Sequence, residues 1–370
     1  MPRILIVSAA ADTHAQAVCW GLRQIGHEPV YWSWSTFPKR DTISYKIGPG
    51  APARVEMDID DAMQTGPFDV VWMRRLERPR PMPGAHPDDL KVIADESKVF
   101  LEGILPGLGH AGTRWVNDPI ADQASERKPY QLAVAARLGF RIPDTLISNN
   151  PAEIRSFYAK HGGRIIHKAM GLPIWDNADG SRTSSRTSLL SDAHLAHDYP
   201  FRACPAIYQE LLDKAYELRV TVMGKRVLAG VIDSQRDGAT VDWRYEGGRG
   251  IDNLRSIQLE PDLERRCIAL CRALGLSYGS IDLVALKQGE IVFLEVNCAG
   301  QFLFKEVADP EMPMLDSFCR FLAGDEAREF PQLRFEDFLQ SDAMPALAAA
   351  YEEMAHEKRR QRAQKLAANK

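Results

Sequence analysis

The sequence predicts an α/β protein with α+β character towards its C-terminus: an open α/β unit, a small central lobe and an antiparallel-sheet lobe. Three observations predict it. Short apolar runs alternate with helical stretches over the first 119 residues, as in open α/β units. Near residue 120 the pattern restarts with a new helix and a strand–helix–strand series. Beyond Ala206 two hairpin signals, ELRVTVMGKRVLAGVID and SIDLVALKQGEIVFLEVN, flank the helix PDLERRCIALCRALGL, which implies antiparallel strands. The expected divisions are 1–119, 120–205 and 206–324, followed by a polar helical tail over 325–370.

In the first division RILIVS reads as a strand, His14 to Ile25 as a helix closed by Gly26, and PVYWSW as a second strand. DVVWMRR is a further strand. RPRPMPGAHP, from Arg78 to Pro87, is too proline-rich for regular structure and reads as a long connection. Asp88 to Leu105 is helical, and RWVNDP is a strand ending at proline. In the second division SERKPYQLAVAARLGF has apolar residues at helical spacing with Ser125 as a cap and Gly139 as a stop. IPDTLIS and RIIHKAM are strands around the helix PAEIRSFYAKHGG. DNADGSRTSSRTSLLSD, from Asp176 to Asp192, is hydroxyl-rich and aperiodic, and reads as a mobile loop. The basic C-terminal segment reads as a solvated or frayed helix.

Bulk properties exclude several function classes. The 370 residues are 45% hydrophobic and 26% charged, ordinary for a globular chain. A net charge of −4 gives no global attraction to DNA or anionic membrane, so phosphate contacts must be built locally. Neither an N-terminal signal pattern nor a run of about 18 apolar residues occurs, which points to a cytoplasmic protein. The six cysteines include no CxxC pair and read as buried thiols. Cys267 and Cys271, four apart on a helix, read as core packing.

The stretch IVFLEVNCAG, Ile291 to Gly300, raises the chemical question, because an apolar strand ends on Glu295 and Asn297. A two-residue turn at Gln288–Gly289 pairs Leu286 with Ile291, Val284 with Phe293 and Asp282 with Glu295. Facing positions hold Cβ atoms roughly 4.5–5.5 Å apart, and Asn297, two residues on, shares their face. Two like charges at that separation among apolar neighbours raise each other's pKa unless a cation lies between them. Oxygen-only ligands suit Mg²⁺ or Mn²⁺, and Mg²⁺ usually completes its shell with water and phosphates, which implicates a nucleotide. The other reading is that these are strand-end acids meeting solvent or an arginine.

Local positive charge is also present. Lys168 sits in the strand RIIHKAM and Lys128 opens the helix of the second division, although each is commonplace alone. Neither GxxxxGK[ST] nor GxGxxG occurs, so the glycine-loop phosphate cradles are absent. Gln209 and Glu210 end an apolar run that would join two lobes and offer backbone groups to an adenine edge. Glu217 and Arg219 share a strand face, and Arg244 follows in VDWRY. Each arginine suits an oxyanion developing on phosphate, and equally a structural ion pair.

Lys128, Lys168, QELLDKAYELRV, SIDLV and FLEVNCAGQ together resemble the ATP-grasp carboxylate ligases. Within that superfamily NDPIADQASERKPYQLAVAARLGFRIPDTLISN, ELRVTVMG, VDWR and EVNCAGQFLF resemble the graspetide (microviridin-type) peptide ligases, over about Trp115 to Leu322. The resemblance implies an ATP-grasp fold, with ATP phosphates on Lys128 and Lys168. It implies adenine at the hinge Gln209, Glu210, Leu211 and Leu212, and ribose near Glu217. Metal would lie on Asp282, Glu295 and Asn297. Arg219 would face the transferred phosphoryl group, and Arg244 the acceptor carboxylate. Cys298 departs from the family pattern, where many members carry proline.

The implied cofactors are ATP and Mg²⁺, with Mn²⁺ as a substitute. The implied activity is formation of an acylphosphate and its capture by a hydroxyl or amine, giving an ester or amide crosslink in a ribosomally made peptide. The implied partner is a precursor peptide with a leader, presented by the N-terminal unit and the helix from Asp88. A homodimer is left open, and neither nucleic acid nor membrane is expected. Alternatives are a ligase joining amino acids to a small molecule or protein tail, a non-catalytic ATP-binding switch, and a small-molecule kinase.

Overall fold

In the computed structural model the chain divides into two compact units, Met1–Pro119 with Gln301–Lys370, and Ile120–Gly300. The structure describes residues 1–80, 82, 84–171, 173–177, 181–235, 253–325 and 332–368.

The first unit begins with β1 (Ile4–Val7), α1 (Thr13–Gln24) and β2 (Val30–Trp32). It continues through β3 (Thr42–Gly48), β4 (Ala51–Ile59), β5 (Ala62–Thr65), β6 (Val70–Met73), α2 (Leu90–Leu108) and β7 (Arg114–Val116). The strands β2-β1-β6-β7 form a parallel sheet, as strand–helix–strand alternation requires. Asp12 starts α1 by accepting the amides of His14 and Ala15 at 3.0 and 3.2 Å. Residues 42–65 form a separate antiparallel sheet, β3-β4-β5, which the sequence reading passed over. Its signal lies in RVEMDI, where Val55, Met57 and Ile59 are buried between more exposed polar neighbours.

The second unit holds α3 (Pro119–Ser125), α4 (Lys128–Arg137), β8 (Thr145–Ser148), α5 (Pro151–Lys160) and β9 (Ile165–Lys168). There follow β10 (Ile174–Asp176), β11 (Arg182–Ser184), β12 (Ser188–Leu189), α6 (Asp192–Leu195) and α7 (Tyr199–Ala203). The remainder is β13 (Ala206–Glu210), β14 (Lys214–Met223), β15 (Arg226–Ile232), β16 (Leu254–Ile257), α8 (Pro261–Ala273), β17 (Tyr278–Leu286) and β18 (Ile291–Asn297). Two sheets result, β12-β9-β13-β8 and β16-β15-β14-β17-β18. β13 lies between β9 and β8, so residues 206–210 complete the smaller sheet rather than open the larger one. Within the span read as a mobile loop, β10 and β11 pair, with Trp175 opposite Thr183. One face of the larger sheet, including Leu218, Val220, Ile281, Leu283, Phe293 and Val296, packs in one core with Leu132 and Ala135 of α4 and Leu263, Cys267 and Leu270 of α8.

The chain ends in α9 (Phe304–Ala308), α10 (Met314–Ala323), α11 (Phe335–Leu339) and α12 (Met344–Ala368), all in the first unit. Residues 301–324, expected with the preceding lobe, leave it because all ten residues of α10 are buried and its helix packs on α1. An added Cβ at Gly21 would stand 2.8 Å from Cys319 Sγ, a measure of that close approach. The start of the polar tail is also core: Phe335, Phe338 and Leu347 are buried, and Trp20 meets Phe338 edge-on.

Candidate active site

The β17–β18 hairpin carries the site, and its register differs from the expected one near the turn. Leu286 N donates to Glu290 O at 2.8 Å and Gly289 N to Leu286 O at 2.9 Å, so the loop is Lys287–Gly289, three residues rather than two. Gly289 takes φ +93°, the left-handed conformation such a loop needs and glycine adopts at little cost. Phe293 therefore faces Leu283, and Val292 faces Val284. Left uncorrected, that register would pair Leu294 with Asp282. A bulge at Leu294 inserts one residue and restores Asp282 opposite Glu295 and Ser280 opposite Asn297.

The bulge also turns the side chain. Phe293 and Val296 lie in the core shared with α4 and α8, whereas Leu294 packs with Val284, Leu286 and Val292 on the opposite face. Leu294 and Glu295 thus lie consecutively on one face, and Glu295 joins Asp282 instead of entering the core.

Cations from two directions meet these acids. Arg219, opposite Asp282 across β14 and β17, donates Nη1 to Asp282 Oδ1. Lys128, the first residue of α4, places Nζ 3.0 Å from Glu295 Oε2. Asn297 Nδ2 lies 3.4 Å from Asp282 Oδ2. Both carboxylates are mostly buried, at 13% and 17% side-chain exposure, so neutralisation by paired cations is the condition for holding them there. The arginine alternative weighed for this pair is realised at Asp282.

The donor set fits a divalent cation. Among the described residues no group of three or more His, Cys, Asp and Glu is placed to hold a metal, so the third protein ligand would be the Asn297 amide oxygen. Two carboxylates and an amide suit Mg²⁺ or Mn²⁺.

The remaining sequence-selected residues distribute as follows. Glu217 shares the Arg219 face of β14, is mostly buried, and accepts from Lys214 Nζ at 2.8 Å. Gln209 is buried and donates to Thr145 Oγ1 at 3.0 Å. Lys168 pairs with Ile207 in the smaller sheet. One face of that sheet, including Ile165 and Tyr208, packs on Ile154 and Phe157 of α5. Alternation puts Ile166, Lys168, Ile207 and Gln209 on the other. Glu210 Oε1 accepts Asp144 N at 3.0 Å, Leu211 N donates to Arg164 O at 2.9 Å, and Leu212 packs beside Val284 and Leu286. Arg244 lies outside the described residues.

The sequence reading missed Gln131. Buried at 2% exposure, its side chain accepts Val296 N at 2.9 Å and donates to Val296 O at 2.8 Å. A polar residue at a core-facing position of α4 was the available signal.

No family model matches the chain. Among solved structures, a RiPP-associated ATP-grasp ligase of Chryseobacterium gregarium, in complex with ADP and a leader and core peptide, aligns with TM-score 0.81 and 25% identity. The match covers 90% of this chain and 100% of that one. The ATP-grasp ligase PsnB, complexed with a phosphomimetic variant of a minimal precursor, Mg and ADP, aligns with TM-score 0.68 and 26% identity, over 88% and 99% of the two chains. The chain shares its ATP-grasp fold with the RiPP-associated ligases. A curated relative, a probable alpha-L-glutamate ligase of Marinobacter nauticus, is 23% identical over 194 residues, 49% of this chain. The match spans 58% of that relative's length. The two sheets of the second unit are therefore ATP-grasp lobes, and among the described residues no helix is long and apolar enough to cross a membrane.

Proposed function

We propose that the protein is an ADP-forming ligase that activates a carboxylate of a ribosomal precursor peptide and joins it to a hydroxyl or amine, giving an ester or amide crosslink. The observation that carries this reading is the convergence of Asp282, Glu295 and Arg219 on one face of the sheet, with Lys128 at the start of α4 reaching Glu295. Acids on adjacent strands, each paired with a cationic side chain, suit a site that exchanges a cation partner for a metal bearing polyphosphate.

In this reading Lys128 and Lys168 would hold the phosphates of ATP and residues Gln209–Leu212 its adenine. Glu217 orients the ribose, and Asp282, Glu295 and Asn297 hold Mg²⁺ or Mn²⁺. Bound there, the metal offsets charge on the phosphates. The acceptor carboxylate oxygen takes the terminal phosphoryl group of ATP, and the bond to ADP breaks. Arg219 donates to the transferred group as its charge develops, while Arg244 holds the carboxylate. The acylphosphate is then attacked by a Ser/Thr hydroxyl or Lys amine, which releases phosphate. The likeness to a ligase solved with leader and core peptide supports the peptide partner. The absence of net positive charge favours neither nucleic acid nor membrane, and a cytoplasmic setting is part of the reading.

The glutamate-ligase relative favours a second reading, addition of an amino acid to a small molecule or protein tail. Incubation with Mg·ATP and candidate acceptors, followed by mass spectrometry, separates the two. A crosslink removes the mass of one water from a peptide, whereas amino-acid addition raises the acceptor's mass. ADP release without either product would overturn both.

A further inference from the structure

Among the described residues the larger sheet ends at β18, and an edge strand leaves a row of backbone donors and acceptors without a strand to pair. Two groups outside the sheet close this edge. Arg141 O accepts Phe293 N at 2.8 Å, and the Gln131 amide makes a two-way pair with the Val296 backbone. Between these clamps lies the bulge at Leu294–Glu295. Gln131 also donates to Ser125 O, so its amide orientation is fixed from a second side.

We infer that Gln131 is a positioning residue for the metal-binding strand, fixing Glu295 and Asn297 relative to Lys128. Gln131 lies one helical turn after Lys128, so α4 carries both the clamp and the lysine that meets Glu295 at 3.0 Å. Val296 separates the two ligand residues, and any movement of its peptide moves both. A bulge raises the need for the clamp, because it removes regular ladder bonds where the two acids must stay opposed. An apolar side chain in this buried place would leave the Val296 N–H and C=O unsatisfied, which favours strand displacement.

This inference rests on Asp282, Glu295 and Asn297 holding the metal, so the test separates the two claims. Free Mn²⁺ is titrated by electron paramagnetic resonance with full-length protein, with and without ADP, while ADP binding without metal is measured separately. Gln131→Met is expected to weaken ADP-dependent Mn²⁺ uptake about tenfold, the lower range for loss of a group supporting metal ligands. Metal-free ADP binding should stay unchanged within error. Exchange of the Val296 and Asn297 amides in metal-free protein should quicken. Gln131→Glu, which keeps the acceptor for Val296 N–H but loses the donor, should fall between, and it decides the matter if Gln131→Met does not fold. Leu270→Val, which disturbs a fully buried core side chain of α8 that makes no polar contact with the clamp, controls for plain destabilisation and should lower Tm without changing Mn²⁺ uptake. Wild-type uptake with no change in the Gln131 variants, or an equal change in Leu270→Val, overturns the positioning role alone. No ADP-dependent uptake by the wild type sinks both claims.

Discussion

Replacing Glu295 by Gln keeps the shape of the site and removes one charge. Lys128, Arg219, Asp282 and Glu295 sum to zero in the folded protein, and the variant raises the sum to +1. At the 3.0 Å separation of Lys128 and Glu295, with an effective dielectric of about 20, the gross Coulomb attraction lost is about 5.5 kcal/mol. The two side chains retain 24% and 17% exposure, so solvent and the desolvation no longer incurred offset much of it. Breaking an exposed pair costs under about 1 kcal/mol and a buried one about 3–5, which brackets the net loss near ~2 kcal/mol. For a unit of this size that is a Tm fall of about 4–8 °C. Nucleotide binding should split in sign. ADP without metal should bind more tightly to the more positive site, and Mg·ADP more weakly, because a metal ligand is gone. Calorimetric titration of both proteins with ADP, with and without Mg²⁺, reads this directly. If Mg²⁺ improves ADP binding as much in the variant as in the wild type, Glu295 is no metal ligand and the reasoning fails.

Arg219→Lys keeps the charge beside Asp282 but loses the planar fork; turnover, measured as ADP release with acceptor peptide, should fall at least about 100-fold while ADP affinity changes little. Gly300→Ala would put a Cβ 2.6 Å from the Cβ of Ser280, the residue that faces Asn297, and should cost about 1–3 kcal/mol in urea melts as well as activity. An unchanged melt would show that the segment yields freely. Burial above all, then Arg74, pushes the His14 imidazole from 6.5 down to about 3, and its Nδ1 faces the amides of Phe302 and Leu303. The folded state therefore holds His14 neutral while the unfolded chain protonates it below 6.5. This contribution to stability is present above pH 6.5 and is lost towards pH 3, by up to roughly 1.4 kcal/mol per pH unit. His14→Asn should flatten that slope in melts across pH 4–7. Asp12, where Arg74 and Arg75 outweigh the upward push of burial, adds its loss only below its ordinary 3.8. Finally, Cys204 alone among the six cysteines is exposed, and burial pushes Cys267 up to about 12, so a thiol reagent should modify one cysteine rapidly in the native protein.

The opposition of Asp282 and Glu295 was legible because strand alternation and hairpin pairing are local rules. The details behind it were not. A two-residue turn and an unbroken ladder were expected, and the molecule uses a three-residue loop and a bulge whose offsets cancel. Bulges answer to packing on both faces of a sheet, here Phe293 in one core and Leu294 in another, and leave no distinct mark in the residue order. The fold followed from periodicity for the strongly patterned strands and helices, while the weaker alternation of residues 42–65 went unread.

By itself the sequence determined which residue types carry charge, where the strongly patterned strands form, and, away from the bulge, which face each of their residues takes relative to its neighbours, since those depend on spacing along one chain. Only the tertiary structure decided that Lys128 meets Glu295, that Gln131 closes the edge of β18, and that residues 301–370 join the first unit. The physical reason is common to all three. Each depends on satisfying a buried charge, a buried backbone group or an apolar helix surface with whatever distant segment is nearest, and nearness in space is created by packing rather than by position in the chain.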